Sequence, residues 1–445
     1  MKESLKKNIP SDKFHLAIVA GEASGDNHGV ELMKALKKQV PSMTFTGLGG
    51  PQMEEYAKAN NTEAHQFRVL SKLAYADEVQ GIPVVGRPRD RLRRAKLEQP
   101  EGRAERERAS QFRKNSIENW IETAGVLGLW DVLKKYGYFR TKFSMLLHHL
   151  KECHPHAIIL VDYPGFNLRL AKAIRRLQLP IKIFYYISPQ VWAWHKSRIP
   201  KIAHLLDLMV CIFPFEKKLY ESSGLPTTFV GHPLVEKLTS QKETVGVLKR
   251  EEHLLGLFPG SREREVRRIF PVMVKTAQRV MSENSKIHCE AAAATEARAE
   301  EMRAMAEQAD IHIIITVNQA RELMQRATFG LVCSGTATLE AACLGLPYAL
   351  VYKVAWLTYV AGRLLIRVPY LGIINILACR PVVREFIQQD ATAENLAKEA
   401  LRLLNNPEAC KKLSEELTSI TAALHGHGAY DHAAETMVTA LKTGR

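Results

Sequence analysis

Five short segments place chemistry-bearing side chains beside residues that let the backbone turn. The first runs Ala20-Gly21-Glu22-Ala23-Ser24-Gly25-Asp26 and opens a helical pattern. Its glycines permit a sharp turn close to a ligand, and the free N–H groups of the following helix suit an anion. Ser24 and Asp26 fit helix N-caps equally well. The glycine spacing is not GxGxxG, so a dinucleotide site is not specified. The second segment is Val161-Asp162-Tyr163-Pro164-Gly165-Phe166-Asn167. A carboxylate at the carboxyl end of a parallel strand points into the crevice where α/β proteins bind ligands. Asp162 is therefore a candidate general base, with a helix cap as the alternative.

The third segment, Tyr186-Ile187-Ser188-Pro189-Gln190-Val191-Trp192-Ala193-Trp194, sets two indoles beside a strand end. Their faces suit the apolar faces of a sugar, although an indole in a core is the commoner arrangement. The fourth, Phe258-Pro259-Gly260-Ser261-Arg262, leads to Glu263 and Glu265. Arg262 has the shape to fork onto a diphosphate, or it pairs with Glu265. The fifth, Cys333-Ser334-Gly335-Thr336-Ala337-Thr338-Leu339-Glu340, opens a helix with small hydroxyl-bearing residues, a phosphate cradle. Glu340 falls one turn on, where its carboxylate reaches both hydroxyls of a ribose or complements the helix dipole.

The elements that must hold these segments are legible in the pattern. Short apolar runs are expected as strands at Leu16–Ala20, Thr44–Leu48, Ala157–Val161, Lys182–Ile187, Leu208–Ile212 and Thr228–Val230. A second series is expected at Leu254–Phe258, Lys286–Ala291, Ile311–Thr316, Gly330–Cys333 and Tyr348–Val351, with helices such as Gly29–Lys38 and Phe166–Arg176 between. Continuous apolar strands alternating with helices mean parallel sheets covered on both faces. The fold class is α/β: two Rossmann-like doubly wound domains facing a cleft. Residues 1–232 form the first domain and 233–445 the second, with the break at Gly231-His232-Pro233 and helices at the C-terminus. The alternation fails over about 60–119, where Arg87–Lys114 holds eleven basic and five acidic residues. That stretch reads as a basic insertion with few aromatics to stack on bases.

Bulk properties narrow the classes. Hydrophobic residues make up 46% of 445, which excludes global disorder. The net charge of +15 suits an anionic partner such as a nucleotide or a phospholipid surface. A basic, non-enzymatic nucleic-acid-binding protein is the competing class on charge alone. Seven scattered cysteines, an odd count without a CxxC pair, argue against a disulfide framework or a zinc site. The first apolar run is too short for a signal segment, and none reaches the ~20 residues of a membrane span.

In combination VAGEASGD (19–26), VDYPGFN (161–167), YISPQVWAW (186–194), FPGSREREV (258–266), SGTATLE (334–340) and IINILA (373–378) resemble the lipid-A-disaccharide synthase family over residues 15–56 and roughly 125–440. SGTATLE by itself is similar to other UDP-sugar glycosyltransferases, the enzymatic alternative. The resemblance implies a glycosyltransferase-B fold and an inverting transfer that uses no metal or cofactor. It implies UDP-diacylglucosamine as donor, lipid X (diacylglucosamine-1-phosphate) as acceptor, and lipid A disaccharide phosphate and UDP as products. Asp162 is then the expected base, with Glu22 and Asp26 as alternatives. Arg262, Ser334, Gly335, Thr336, Glu340 and Asn375 would face UDP, and Ser24, Asn167, Ser188 and Trp192 the acceptor or a sugar. Leu129, Trp130 and Leu133, in LGLWDVL (127–133) beside Lys134 and Lys135, are the expected membrane contact. A weaker membrane candidate, Trp356–Arg367, reads rather as core-facing. The protein would thus be cytoplasmic and peripheral on the inner membrane, without nucleic acid, a homo-oligomer being left open. Two features depart from the family pattern: the basic insertion, and Gln190 where a small residue is common.

Overall fold

A computed structural model describes residues 13–61, 116–120, 136–193, 196–245, 249–356, 359–360, 368–426 and 428–443. The chain begins β1 (His15–Ala20), α1 (Ala23–Gln39), β2 (Thr44–Gly49), α2 (Pro51–Asn60), β3 (Ile117–Asn119), α3 (Tyr136–Cys153) and β4 (Ala157–Val161). It continues through α4 (Pro164–Arg176), β5 (Lys182–Tyr186), α5 (Ile199–Ala203), β6 (Leu208–Cys211), α6 (Pro214–Glu221) and β7 (Thr227–Phe229). These strands form one parallel sheet in the order β3-β2-β1-β4-β5-β6-β7.

After α7 (Pro233–Val245) the pattern repeats: β8 (Leu254–Phe258), α8 (Glu263–Glu283), β9 (His288–Ala293), α9 (Glu296–Gln308), β10 (Ile314–Val317), α10 (Ala320–Arg326), β11 (Phe329–Cys333), α11 (Thr336–Cys343) and β12 (Tyr348–Tyr352). Then come α12 (Ile373–Ala378), β13 (Glu385–Ile387), α13 (Ala393–Leu404), α14 (Pro407–Ala422) and α15 (Ala429–Lys442). The second sheet is also parallel, in the order β10-β9-β8-β11-β12-β13.

Both sheets follow the doubly wound order, in which the first strand pairs on one side with the second and on the other with the strand that begins the second half. In each, the chain direction of winding reverses at that pair, β1 with β4 and β8 with β11. Ligands bind outside the strand carboxyl ends at such a reversal.

Strand composition explains the layering. Leu16, Ile18 and Ala20 of β1 pack into one apolar layer and Ala17 and Val19 into the other, the two-residue period of a strand covered on both faces. A separate core covers one face of the second sheet, with Val266, Ile269, Phe270 and Met273 of α8 among its members. The largest apolar cluster runs between the two units. It joins Val30, Leu36 and Phe45 to Val235 and Leu238 of α7 and to Leu339, Leu346 and Leu417. The last helix, α15, packs against α1 and buries Ala433, Ala434, Met437, Val438 and Leu441 in the same cluster.

Between the sheets the chain passes Gly231, whose φ of 90° and lack of Cβ let it lie against the backbone of Gly426. His28 of α1 hydrogen-bonds Tyr430 of α15 at 2.9 Å. Among the described residues no helix is long and apolar enough to cross a membrane.

Candidate functional site

At the reversal of the first sheet, the loops after β1 and β4 lie side by side. The ring of Tyr163 occupies the space a side chain on Gly21 would need. Asp162 and Tyr163 both have left-handed backbones, φ 45° and 46°, a conformation that costs free energy in non-glycine residues and concentrates at functional sites. Three contacts hold it. Tyr185 donates its hydroxyl to the Asp162 carbonyl at 2.6 Å, and the Asn167 amide donates to the carbonyls of Asp162 and Val161 at 2.7 and 3.2 Å. The half-buried carboxyl of Asp162 is thereby fixed beside Glu22. Burial first, and the negative charge of Glu22 second, push its pKa up from 3.8 to about 6, against a hydrogen bond from the backbone of Tyr163. A carboxylate of that basicity, ionised at neutral pH, is suited to take a proton from a hydroxyl. Glu22, at the N-cap position of α1, and Ser24, in its first turn, are exposed.

Asp26 and Asn167 are both engaged within the fold. Asp26 is buried, and its two oxygens accept the backbone N–H groups of Gly50, Gln52 and Met53 at 2.8, 3.0 and 3.1 Å. It caps α2, the second helix, not its own. Asn167 is fully buried, and its amide holds the Asp162 turn from beneath. Trp120 passed unnoticed in the sequence. Its indole N–H donates to the Ala20 carbonyl at 2.6 Å, and its ring packs against Phe139, Tyr163 and Phe166, tying both loops together. Its only sequence signal is a lone Trp at the edge of the basic stretch.

Ser188 and Trp192 are likewise buried. Trp192 donates to Glu216 at 3.0 Å and packs edge-on against Phe215, while Ser188 donates to the hydroxyl of Tyr220 at 3.3 Å. Their polar atoms serve this cluster. Glu216, also buried, has its pKa raised by desolvation to about 7, opposed by hydrogen bonds from Ser188 and Trp192. The cluster holds the segment after β5 in place. Trp194 lies outside the described residues, as do Leu129, Trp130, Leu133 and the core of the basic stretch. Trp356, expected to face the core, is instead exposed.

At the reversal of the second sheet, the turn after β8 passes through Gly260, with φ 104° and Glu265 packed where its side chain would be. Arg262, exposed at the head of α8, pairs with Glu265 at 3.2 Å. The adjoining loop after β11 has Gly335 at φ 148° and ψ −161°, a backbone that only glycine adopts readily. Ser334, Gly335 and Thr336 are solvent-accessible, and the N–H groups of Gly335 and Thr336 head α11. β8 and β11 are neighbours in the sheet, which sets the two loops next to each other. Glu340 follows one turn into α11 and accepts two hydrogen bonds from Arg321.

Asn375 lies within α12. It is buried with every polar atom engaged: its amide donates to Val383 O at 2.7 Å and Glu385 at 2.8 Å, and its oxygen accepts from Val382 and Val383, both at 2.9 Å. Glu385 in turn accepts from the N–H groups of Leu371 and Gly372. Asn375 therefore fixes the start of α12.

Four of the five segments thus lie at two winding reversals, one per sheet. The first offers a basic carboxylate on a strained turn, and the second a guanidinium, open N–H groups and a helix-borne acid.

The model of the family described as lipid-A-disaccharide synthetase matches residues 16–79 and 109–438. The break between falls within the basic stretch. Lipid-A-disaccharide synthase 1 of Legionella pneumophila subsp. pneumophila strain Philadelphia 1 is 34% identical over 414 residues, 92% of this chain and 93% of that protein. Lipid-A-disaccharide synthase of Nitrosococcus oceani is 34% identical over 438 residues, 96% of each chain. Among solved structures, the fold is similar to a glycosyltransferase of kitacinnamycin, with TM-score 0.56 and 11% identity over 96% of this chain and 99% of that one. It is also similar to UDP-GlcNAc 2-epimerase from Neisseria meningitidis, with TM-score 0.51 and 10% identity over 96% of this chain and all of that one.

Proposed function

The chain belongs to the lipid-A-disaccharide synthase family, glycosyltransferases of lipid A biosynthesis, and on that premise we propose that it joins UDP-diacylglucosamine to lipid X with inversion at the sugar carbon. The products are the β-linked lipid A disaccharide phosphate and UDP. The observation that carries this reading is the strained Asp162 turn, where a carboxylate with a pKa of about 6 stands at a winding reversal.

Asp162 takes the proton of the acceptor hydroxyl as its oxygen bonds to the donor sugar carbon. The bond from that carbon to the diphosphate breaks on the opposite face, and UDP leaves with the electron pair. Arg262 and the N–H groups of Gly335 and Thr336 receive the charge that develops on the diphosphate. In the ligand-free protein Arg262 pairs with Glu265 three residues on, an exposed pairing worth about 0–1 kcal/mol. A diphosphate, doubly charged and forked, displaces it. Glu340 accepts the ribose hydroxyls.

The residues around β1 and β4 hold the acceptor, with Glu22 and Ser24 at its rim, and residues 233–445 hold the donor. Leu129, Trp130 and Leu133 meet the cytoplasmic face of the inner membrane, where both lipid substrates reside. The test is a transfer assay with purified protein and both lipids, with Asp162→Asn as the inactive control.

A further inference from the structure

Glu340 on α11 and Arg321 on α10 meet in an unusual way. An arginine and a carboxylate usually pair fork to fork, each nitrogen with its own oxygen. Here Arg321 donates from Nε at 3.2 Å and from Nη2 at 2.9 Å to the same oxygen, Oε1. Among the described residues, no donor reaches Glu340 Oε2. Both side chains are only partly covered, 33% exposed for Arg321 and 19% for Glu340. A pair that open to solvent contributes about 0–1 kcal/mol to stability. Its geometry, more than its energy, is what it supplies. Fixing Oε1 fixes the plane of the carboxylate, and the second oxygen then projects with its lone pairs unused.

We propose that Arg321 is a positioning residue that aims Glu340 Oε2 at the ribose hydroxyls of a nucleoside diphosphate sugar. This rests on the reading of Glu340 as the ribose acceptor. Two adjacent hydroxyls need one oxygen, or one carboxylate edge, held still between them, because a carboxylate free to rotate loses entropy on binding that a pre-set one does not. Arg321 acts through the acid, so its contribution to nucleotide binding passes through the ribose.

That route separates a positioning role from a structural or phosphate-binding one. Calorimetry on the full chain would measure UDP and 2′,3′-dideoxy-UDP binding to the wild type, Arg321→Gln and Glu340→Gln. The wild type prefers UDP by about tenfold or more, the loss expected for hydrogen bonds to a charged group. Arg321→Gln weakens UDP several-fold and leaves the dideoxy nucleotide unchanged, so its preference falls toward that of Glu340→Gln. Equal weakening of both nucleotides, or an unchanged preference, overturns the proposal. A wild type that binds both nucleotides alike removes the ribose role of Glu340 and Arg321's role with it. A preference lost in Glu340→Gln but kept in Arg321→Gln removes Arg321 alone. If Arg321→Gln does not melt cooperatively, Arg321→Lys decides. It keeps the charge without the fork and should show a reduced preference, and a wild-type preference there overturns the proposal.

Discussion

Replacing Asp162 by Asn should abolish transfer and stabilise the protein at the same time. Asn is isosteric and tolerates the left-handed backbone better than most residues, so φ 45° at this position is no obstacle. What changes is the charge. The folded protein holds the Asp162 pKa at about 6 instead of 3.8, chiefly through burial and then through Glu22. Each pH unit of such a rise corresponds to about 1.4 kcal/mol, so ionised Asp162 costs up to about 3 kcal/mol at neutral pH, less after allowance for its partial exposure.

The sign follows from proton counting. Between pH 4 and 6 the folded state binds more protons than the unfolded one, so this group's contribution to stability falls as pH rises through that window and is constant above it. Asp162→Asn should therefore melt higher than the wild type at pH 7 and show no advantage at pH 4. The wild-type kcat/KM should be flat above pH 6 and fall about tenfold per unit below it, as required of a base that must be ionised. Calorimetric melts at both pH values, a pH–rate profile and UDP binding are the assays. A variant that turns over at a near-normal rate would refute the base assignment, and one that melts lower at pH 7 would refute the burial argument.

Glu22→Gln removes the second cause of the raised pKa and should move the acid limb of the rate profile to lower pH, while an unmoved limb would mean that Glu22 does not act on Asp162. Asp26→Ala leaves the three N–H groups at the head of α2 without their cap. It should lower stability by roughly 2–3 kcal/mol in denaturant unfolding, yet leave the pH limb where it is. Arg262→Ala and Glu340→Ala should each weaken UDP binding about tenfold by calorimetry, the cost of a hydrogen bond to a charged group. Leu129→Ser with Trp130→Ser should reduce sedimentation with anionic vesicles and turnover of lipid substrate but leave UDP affinity intact; a lowered melting temperature and weaker UDP binding would make the segment core.

Most of the framework was legible because buried parallel strands are short, continuous apolar runs. All eleven expected strands form, with ends displaced by up to about three residues. The two that escaped notice, β3 and β13, are three-residue edge strands whose pairing is set by their neighbours and not by their own composition. Segment position was legible for the same reason, since a turn after an apolar run in an α/β chain lies at a strand's carboxyl end. Side-chain direction was not. Asp26, Asn167, Ser188, Trp192 and Asn375 sit in the expected segments but are buried, and a motif gives no sign of which polar atoms the fold itself consumes. Asp26 is the plainest case, because the helix it caps begins 25 residues further on, at Pro51. Trp120 and Arg321 were invisible for the complementary reason: each acts through a partner far away in sequence, Ala20 for one and Glu340 for the other.

The central claim is that Asp162 drives transfer between two acylated sugars. The direct measurement incubates purified protein with UDP-diacylglucosamine and lipid X at pH 7.5 and follows UDP and disaccharide together by mass spectrometry. The account predicts one UDP per β-linked disaccharide phosphate from the wild type and neither product from Asp162→Asn. UDP released without disaccharide, or disaccharide formed at an undiminished rate by Asp162→Asn, would contradict it.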